Sequence, residues 1–311
     1  MPDFHALTSA LTFPNINVVV VGGTQGIGAG IAVRFAELGA SVLVVGRNDK
    51  LASDLIKTLE TASRQNGWNS SEVKFGFARR DLGDVAEIKA VADDISIWAG
   101  DRGIQYLVQS QGGVSATGFK PSTAQLTTLF NVQILSHFLI PYLLLSRPEP
   151  VLRTGAQICN IGRPGEKNRH IDLDDFLCLK AVEAGTFRFL KDIMKFVFMV
   201  DLFTQEFNTK FPGTHTTHLY PGAVATTLFE HPTVPWYVRV LTRAMFVLLA
   251  RSPAKYADVA VWEIASEEAK RQARAFWDQY GGEVDVDDRV KTDSQLRERV
   301  WENLLQLGEI S

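Results

Sequence analysis

The stretch Val18-Val19-Val20-Val21-Gly22-Gly23-Thr24-Gln25-Gly26-Ile27-Gly28 constrains the fold more than any other part of this 311-residue chain. Four β-branched residues in a row make a strand that is apolar on both faces, which suits a buried, central position. A glycine turn follows. Ala29 to Leu38 then reads as a helix, with Ile31, Val33, Phe35 and Leu38 apolar and Arg34 and Glu37 polar. Strand, glycine turn and helix start make a phosphate cradle: glycines let the backbone approach a pyrophosphate, and a helix N-terminus presents free N–H groups and a positive dipole. The spacing is Gly22-x3-Gly26-x-Gly28. A tight βα turn that holds nothing is the bland alternative, but the strand before and the helix after favour a dinucleotide. Gly22, Thr24, Gln25, Gly26, Ile27 and Gly28 are its candidate contacts.

The rest of the chain repeats the strand–helix alternation. Ser41 to Val45 is a second buried strand ending in Gly46-Arg47-Asn48. In dinucleotide folds an acid at this tip binds the ribose hydroxyls of NAD, and a base accommodates the 2′-phosphate of NADP. Arg47, followed by Asn48, therefore points to NADP(H) on charge logic, against the alternative of a solvated surface arginine. Further strands are expected at Val73–Ala78, Tyr106–Val108, Ala156–Ile161, His215–Tyr220 and Ala275–Trp277, and helices at Asp49–Ala62, Ser122–Leu145, Glu183–Phe211, Ala254–Ser266 and Thr292–Leu307. This order predicts an α/β fold, a Rossmann-type doubly wound parallel sheet. No repeat, linker or low-complexity tract divides it. The expectation is a single domain over 1–311, with 226–311 forming a lid and a C-terminal extension that ends in a covering helix.

Composition excludes other classes. A net charge of −3 gives no electrostatic reason to expect nucleic acid. Cys159 and Cys178 form no CxxC or zinc pattern, so no metal is expected, and reduced thiols suit a cytoplasmic setting. The N-terminus lacks a basic, apolar leader. No uninterrupted apolar run approaches the ~18 residues of a membrane span.

With the glycine spacing in place, the chain resembles the short-chain dehydrogenase/reductase family over about residues 15 to 285. Several motifs carry the resemblance. Asp81-Leu82 follows the third strand, where the family holds the adenine edge; Asp81 taken alone would serve equally as a helix cap. Gln109-Ser110-Gln111-Gly112-Gly113 stands where the family has Asn-Asn-Ala-Gly and keeps the glycine, Gly112, so Gln111 and Gly112 are expected to line the cofactor. Gln133-Ile134-Leu135-Ser136-His137-Phe138 is similar to the Asn-x-x-Gly-His-Phe segment of retinol-dehydrogenase-like members. That match sets Gln133 at the family's active-site asparagine, with Asn131 two residues away. The insert Pro164 to Lys180, with Ile171-Asp172-Leu173-Asp174-Asp175-Phe176, and the helix end Leu202-Phe203-Thr204-Gln205-Glu206-Phe207 resemble the same subgroup. Pro221-Gly222-Ala223-Val224-Ala225-Thr226 matches the nicotinamide-side loop and makes Pro221, Gly222, Val224 and Thr226 cofactor candidates.

The catalytic half departs from the family. Its chemistry rests on Tyr-x-x-x-Lys, one helical turn that sets both side chains on one face. None of the six tyrosines has a lysine four residues later, and none lies between Tyr142 and Tyr220. Counting back from Leu202–Glu206 places the family's pair at Ile193 and Val197; counting back from Pro221 places it at Lys191 and Lys195. Lys195 is the candidate ribose-binding lysine, against a solvated helix lysine. Gly162-Arg163 replaces the family's Ser-Ser, so no hydroxyl stands there. Candidate proton donors are Lys191, Lys195, His170 and Tyr220, the last at the strand edge where open sheets bind ligands.

Three functions stay open on this evidence. One is an NADP(H)-dependent oxidoreductase acting on a hydrophobic carbonyl or alcohol. The aromatic and aliphatic lid, Glu230 to Ser252, suits an apolar small molecule, and the resemblance to fungal secondary-metabolism members implies a secondary-metabolite intermediate. Another is a non-redox isomerase or cyclase built on the same fold. The third is a non-catalytic NADP-binding protein. Family precedent implies a homodimer or homotetramer joined through the helices Ser122–Leu145 and Glu183–Phe211.

Overall fold

The computed structural model describes residues 2–69, 71, 73–112, 121–225, 236 and 250–310. Its strands are β1 Asn17–Val21, β2 Ser41–Gly46, β3 Phe75–Arg79, β4 Ile104–Gln109, β5 Leu152–Ile161, β6 His215–Leu219 and β7 Phe276–Trp277. All neighbours pair in parallel, in the order β3-β2-β1-β4-β5-β6-β7. The order reverses between β1 and β4, which opens a crevice beyond their C-terminal ends.

Among the described residues the helices are α1 Phe4–Ser9, α2 Gly26–Glu37, α3 Asp49–Gln65, α4 Val85–Ala99, α5 Thr123–Phe130, α6 Ser136–Leu145, α7 Leu179–Glu183, α8 Phe189–Lys210, α9 Pro253–Ala265, α10 Glu267–Gln272, α11 Asp288–Thr292 and α12 Ser294–Leu307. Side-chain alternation along the strands builds two cores. Val19, Val21, Leu43 and Val45 pack with α4, α5, α6, α8 and α12. Val18, Val20, Val42 and Val44 pack with α2, α3 and α9. Both faces are covered, so β1 and β2 read as unbroken apolar runs rather than as alternation.

Ser122–Leu145 forms one helical run with a π turn at Asn131–Leu135 joining α5 to α6. By length and mean hydropathy, Thr123–Leu145 is apolar enough to cross a membrane, yet its most apolar window is 72% buried inside the fold. The expected helix Glu183–Phe211 is instead two: α7 ends at Glu183, Gly185 takes φ +66°, and α8 starts at Phe189. Glycine reaches that left-handed conformation without the steric cost that stops a helix there.

The closing helix α12 lies over α6 and α8. Trp301 packs edge-on to Phe138 at 4.7 Å and Phe207 at 4.8 Å, and also meets Tyr142 and Phe211. Arg297 binds Glu206 at 2.8 Å, both side chains under 10% exposed. The two helices through which family precedent implies pairing are thus covered, over this aromatic stripe, by the chain's own C-terminus. The sequence gives no sign of α1, which docks on α2 and α9 through Thr8, Arg34 and Asp258.

Candidate functional site

The cradle forms where β1 ends. Gly22 has φ +73°, and a Cβ there would lie 2.5 Å from the Gln111 nitrogen and 2.6 Å from its Cα. A side chain at Gly28 would overlap the Ser110 hydroxyl, which itself donates to Val21 O at 3.0 Å. The turn is therefore pressed against the end of β4, and its glycines are needed there. Gln25 precedes α2 in an extended conformation and makes no side-chain cap bond, so the first N–H groups of α2 have no side-chain cap from it. A helix start without a side-chain cap, at the mouth of a crevice, presents N–H groups and positive dipole to an anion. Ile27 packs from this turn into the α2 core.

Beside the cradle lies a cleft of about 670 Å³ lined by Thr24, Gln25, Arg47, Asn48, Asp49, Lys50 and Leu51. Asn48 accepts the Leu51 N–H at 3.0 Å and so caps α3. Arg47 extends from the tip of β2, 69% exposed, its guanidinium 3.7 Å from Asp81. Arg79 and Arg80 are committed elsewhere, Arg79 to Asp49 at 3.4 Å and Arg80 to Asp94 at 2.7 Å and Glu87. Asp81 does not cap α4. It accepts the Gly83 N–H at 3.1 Å, and Asp84 is the cap. Leu82 is buried behind it.

A buried polar layer supports the end of β4. His137 bonds the Gln111 carbonyl through Nε2 at 2.8 Å and faces the Asn160 amide through Nδ1 at 3.2 Å. Burial lowers its pKa to about 4, so the ring is neutral near pH 7 and donates its one proton to the carbonyl. Gln109 donates to His137 O and to Asn160, and Gln111 donates to Ser136. His137 thus holds the Gln111 backbone beside Gly22. Gln133 approaches the same place: its Cγ would lie 3.6 Å from a Cβ at Gly112. Asn131 turns away and binds Gly83 O at 2.9 Å.

The remaining candidates separate. The Tyr220 N–H donates to Trp277 O at 2.9 Å, which fixes the start of the Pro221-Gly222 turn on β7. Gly222 has φ +66°, with the Gln279 side chain where a Cβ would stand, and Val224 bridges to Arg251. Lys195 binds Asp192 at 2.9 Å and lies 3.9 Å from the Cys178 sulfur. Burial works against its charge, but the Asp192 carboxylate outweighs it and raises the Lys195 pKa. Its contacts are with the insert and its own helix, whereas the cradle is built by β1, α2 and β4. Lys191 is exposed on the first turn of α8. His170, in the insert, is exposed as well. Thr226 and most of the lid, including Tyr237, Val240 and Phe246, fall outside the described residues; Trp236 is 70% exposed.

Two groups at this edge escaped the sequence reading. His218 on β6 binds Asp201 on α8 at 2.8 Å, with 2% and 0% of the side chains exposed. No residue spacing brings a histidine and an aspartate 17 positions apart together; only the packing of α8 on β6 does. The signal available was a polar run, His215-Thr216-Thr217-His218, where the strand order calls for a buried strand.

The fold is a Rossmann-like parallel α/β sheet with a glycine turn pressed against the end of β4. Residues 16–162 match the family model described as short chain dehydrogenase. An uncharacterized oxidoreductase of Schizosaccharomyces pombe is 24% identical over 270 residues, 82% of this chain and 73% of that protein. Human retinol dehydrogenase 12 is 26% identical over 220 residues, 70% of this chain and 64% of that protein. A short chain dehydrogenase of Burkholderia cenocepacia solved in complex with NADP has the same fold, with a TM-score of 0.57 at 16% identity over 89% of this chain and 98% of its own. Residues 16–162 are thus similar to short-chain dehydrogenases, and the curated relatives that match the chain include proteins named as an oxidoreductase and as retinol dehydrogenases.

Proposed function

We propose that this protein is an NADP(H)-dependent oxidoreductase of a hydrophobic carbonyl or alcohol, working through a non-standard active site. One observation carries the cofactor preference: Arg47, and no acid, stands at the tip of β2 in the cleft beside the cradle. The residues fit the nucleotide. Gly22 and Gly28 let the turn press against the end of β4, where any Cβ would clash, and the start of α2 offers backbone donors to a pyrophosphate. Arg47 with Asn48 would hold the 2′-phosphate, Asp81 and Leu82 the adenine, and Gln111, Gly112 and the Pro221-Gly222-x-Val224 turn the nicotinamide side, with Thr226 a further candidate from the sequence. The cofactor supplies a hydride when bound. The chain's own part is to orient it, exclude water and move a proton at the substrate oxygen.

An apolar substrate is favoured by the composition of the lid segment, Glu230 to Ser252, and by the likeness to a relative named for retinol. A secondary-metabolite intermediate is the class we favour. The fold also admits a non-redox isomerase or cyclase, and Gly162-Arg163 in place of serines favours that reading. NADPH consumption with a panel of hydrophobic ketones and aldehydes separates the two. A two-hydrogen mass change matched mole for mole by cofactor oxidation supports the oxidoreductase. Product of unchanged mass, formed without consumption, overturns it.

A further inference from the structure

Position 162 is glycine for a reason written in the fold. Gly162 follows β5, its N–H donating to Leu219 O at 3.0 Å. A side chain there would overlap Nε2 of His218. His218 pairs with Asn160 in the parallel register, so both side chains leave the sheet on the α6 and α8 face. There the His218 Nδ1 meets one oxygen of Asp201 at 2.8 Å, and the other oxygen accepts the Gly165 N–H at 3.0 Å. Both groups are buried, and burial raises the Asp201 carboxyl against the bond from His218. A buried ionisable pair is weak evidence for stability, because apolar residues of like volume serve as well or better. At the C-terminal edge of the sheet, where open α/β folds place their ligands, such a pair is a functional candidate.

We propose that the His218–Asp201 couple is the proton-transfer group of this site, and that glycine at 162 admits the imidazole into space a hydroxyl residue would occupy. This rests on the oxidoreductase reading above. Asp201 accepts the Nδ1 proton and so fixes the tautomer that turns Nε2 toward Gly162. In reduction, hydride arrives at the carbonyl carbon and the π pair moves to oxygen. The ring starts as the imidazolium, protonated on both nitrogens and paired with the Asp201 carboxylate, and its Nε2–H bond breaks as the new O–H bond forms. The neutral imidazole then recovers a proton from solvent. Oxidation runs the same transfers in reverse, with Nε2 as the base. The ionisable groups facing the couple are Asp201 itself on α8, Glu166 in the segment after β5, and His137 on α6.

The test uses the full chain, NADPH, and all-trans-retinal with the ketone panel as probes. His218→Asn should lower kcat by about 10² to 10⁴, the usual worth of a positioned proton donor, while KM and NADPH affinity stay within a few-fold. Gly162→Ser should reproduce much of that loss, and Asp201→Asn should move the acidic limb of the kcat/KM profile. Equal pH profiles in wild type and variants, with only thermal stability reduced, overturn the proposal. Imidazole nitrogen NMR of the labelled chain with NADP bound gives a second readout that needs no turnover. A His218 ring that is protonated on Nδ1 and gains and loses its Nε2 proton between pH 5 and 9 supports the couple. A ring fixed in one form across that range overturns it. If wild type oxidises NADPH with no probe, the oxidoreductase reading falls, and the NMR result still decides whether His218 exchanges protons.

Discussion

Gly22→Ala isolates the cost of building the cradle. Two effects act at this position. The backbone is left-handed at φ +73°, which costs an alanine about 1–2 kcal/mol. Its Cβ would also lie 2.5 Å from Gln111 N, 2.6 Å from Gln111 Cα and 2.8 Å from the Ser110 carbonyl carbon. All three are backbone atoms, so relief requires a shift of the β4 end, and overpacking of this kind costs roughly 1–3 kcal/mol. The sum is about 2–5 kcal/mol, or some 4–20 °C in Tm at roughly 2–4 °C per kcal/mol. Two controls separate the terms. Gly67 has φ +86° with nothing within 4 Å of its Cβ position, so Gly67→Ala should lose only the ~1–2 kcal/mol of strain. Gly213 has open space and no left-handed φ, so Gly213→Ala should be neutral or gain up to about 1 kcal/mol through the unfolded chain. Urea unfolding gives all three values. NADPH affinity should fall at least about tenfold in Gly22→Ala alone, equivalent to 1.4 kcal/mol at the site. Wild-type stability and wild-type NADPH affinity in Gly22→Ala would refute the close approach of the turn to β4.

Further outcomes follow from the buried groups. Burial lowers His137 from 6.5 to about 4. Between those values the unfolded chain binds the proton that the fold refuses, so stability falls as pH drops from about 6.5 to 4, by on the order of 3 kcal/mol. Urea midpoints at pH 7.5 and 4.5 should differ less in His137→Asn than in wild type. Burial pushes the Glu263 carboxyl well above its usual range, Asp278 adding to the effect and Arg251 and the Gly281 backbone opposing it. The fold keeps a proton that the unfolded chain releases, so Glu263 lowers stability as pH rises. The stability gained by Glu263→Gln should therefore grow from pH 5 to pH 8, and a gain independent of pH would contradict this. Because α12 covers the aromatic stripe on α6 and α8, sedimentation should give a monomer, against family precedent. Trp301→Ala should lose about 3–5 kcal/mol; a wild-type dimer, with Trp301→Ala as stable as wild type, would show that α12 is dispensable there.

The sheet was legible because its physics is local. Val18–Val21 and Ser41–Val45 are apolar on both faces, and only strands buried on both sides need that pattern. The cradle was legible for the same reason, since glycines between a strand and a helix have few other uses. Arg47 could be placed because the end of β2 fixes it. The catalytic side was not. Lys191 and Lys195 came from two counts that disagree by two residues. The fold resolves neither count in favour of a lysine at the cradle: Lys195 on α8 binds Asp192 one turn away and faces Cys178 of the insert. His218 and Asp201 meet only through the packing of α8 on β6. The break at Gly185 was also missed, because one left-handed glycine in an apolar helical pattern carries little periodic signal. Trp301 was readable as part of a covering helix, but not as the residue that closes the α6 and α8 face.

The cofactor preference is tested most directly by titrating the purified protein with NADPH and with NADH, following energy transfer from tryptophan to the reduced nicotinamide. A charge-assisted bond from Arg47 to the 2′-phosphate is worth about 1.5–3 kcal/mol, so NADPH should bind roughly 10- to 150-fold more tightly than NADH. That preference should vanish or invert in Arg47→Asp. Equal affinity for the two nucleotides, or a preference untouched by Arg47→Asp, would contradict the assignment of NADP to this site.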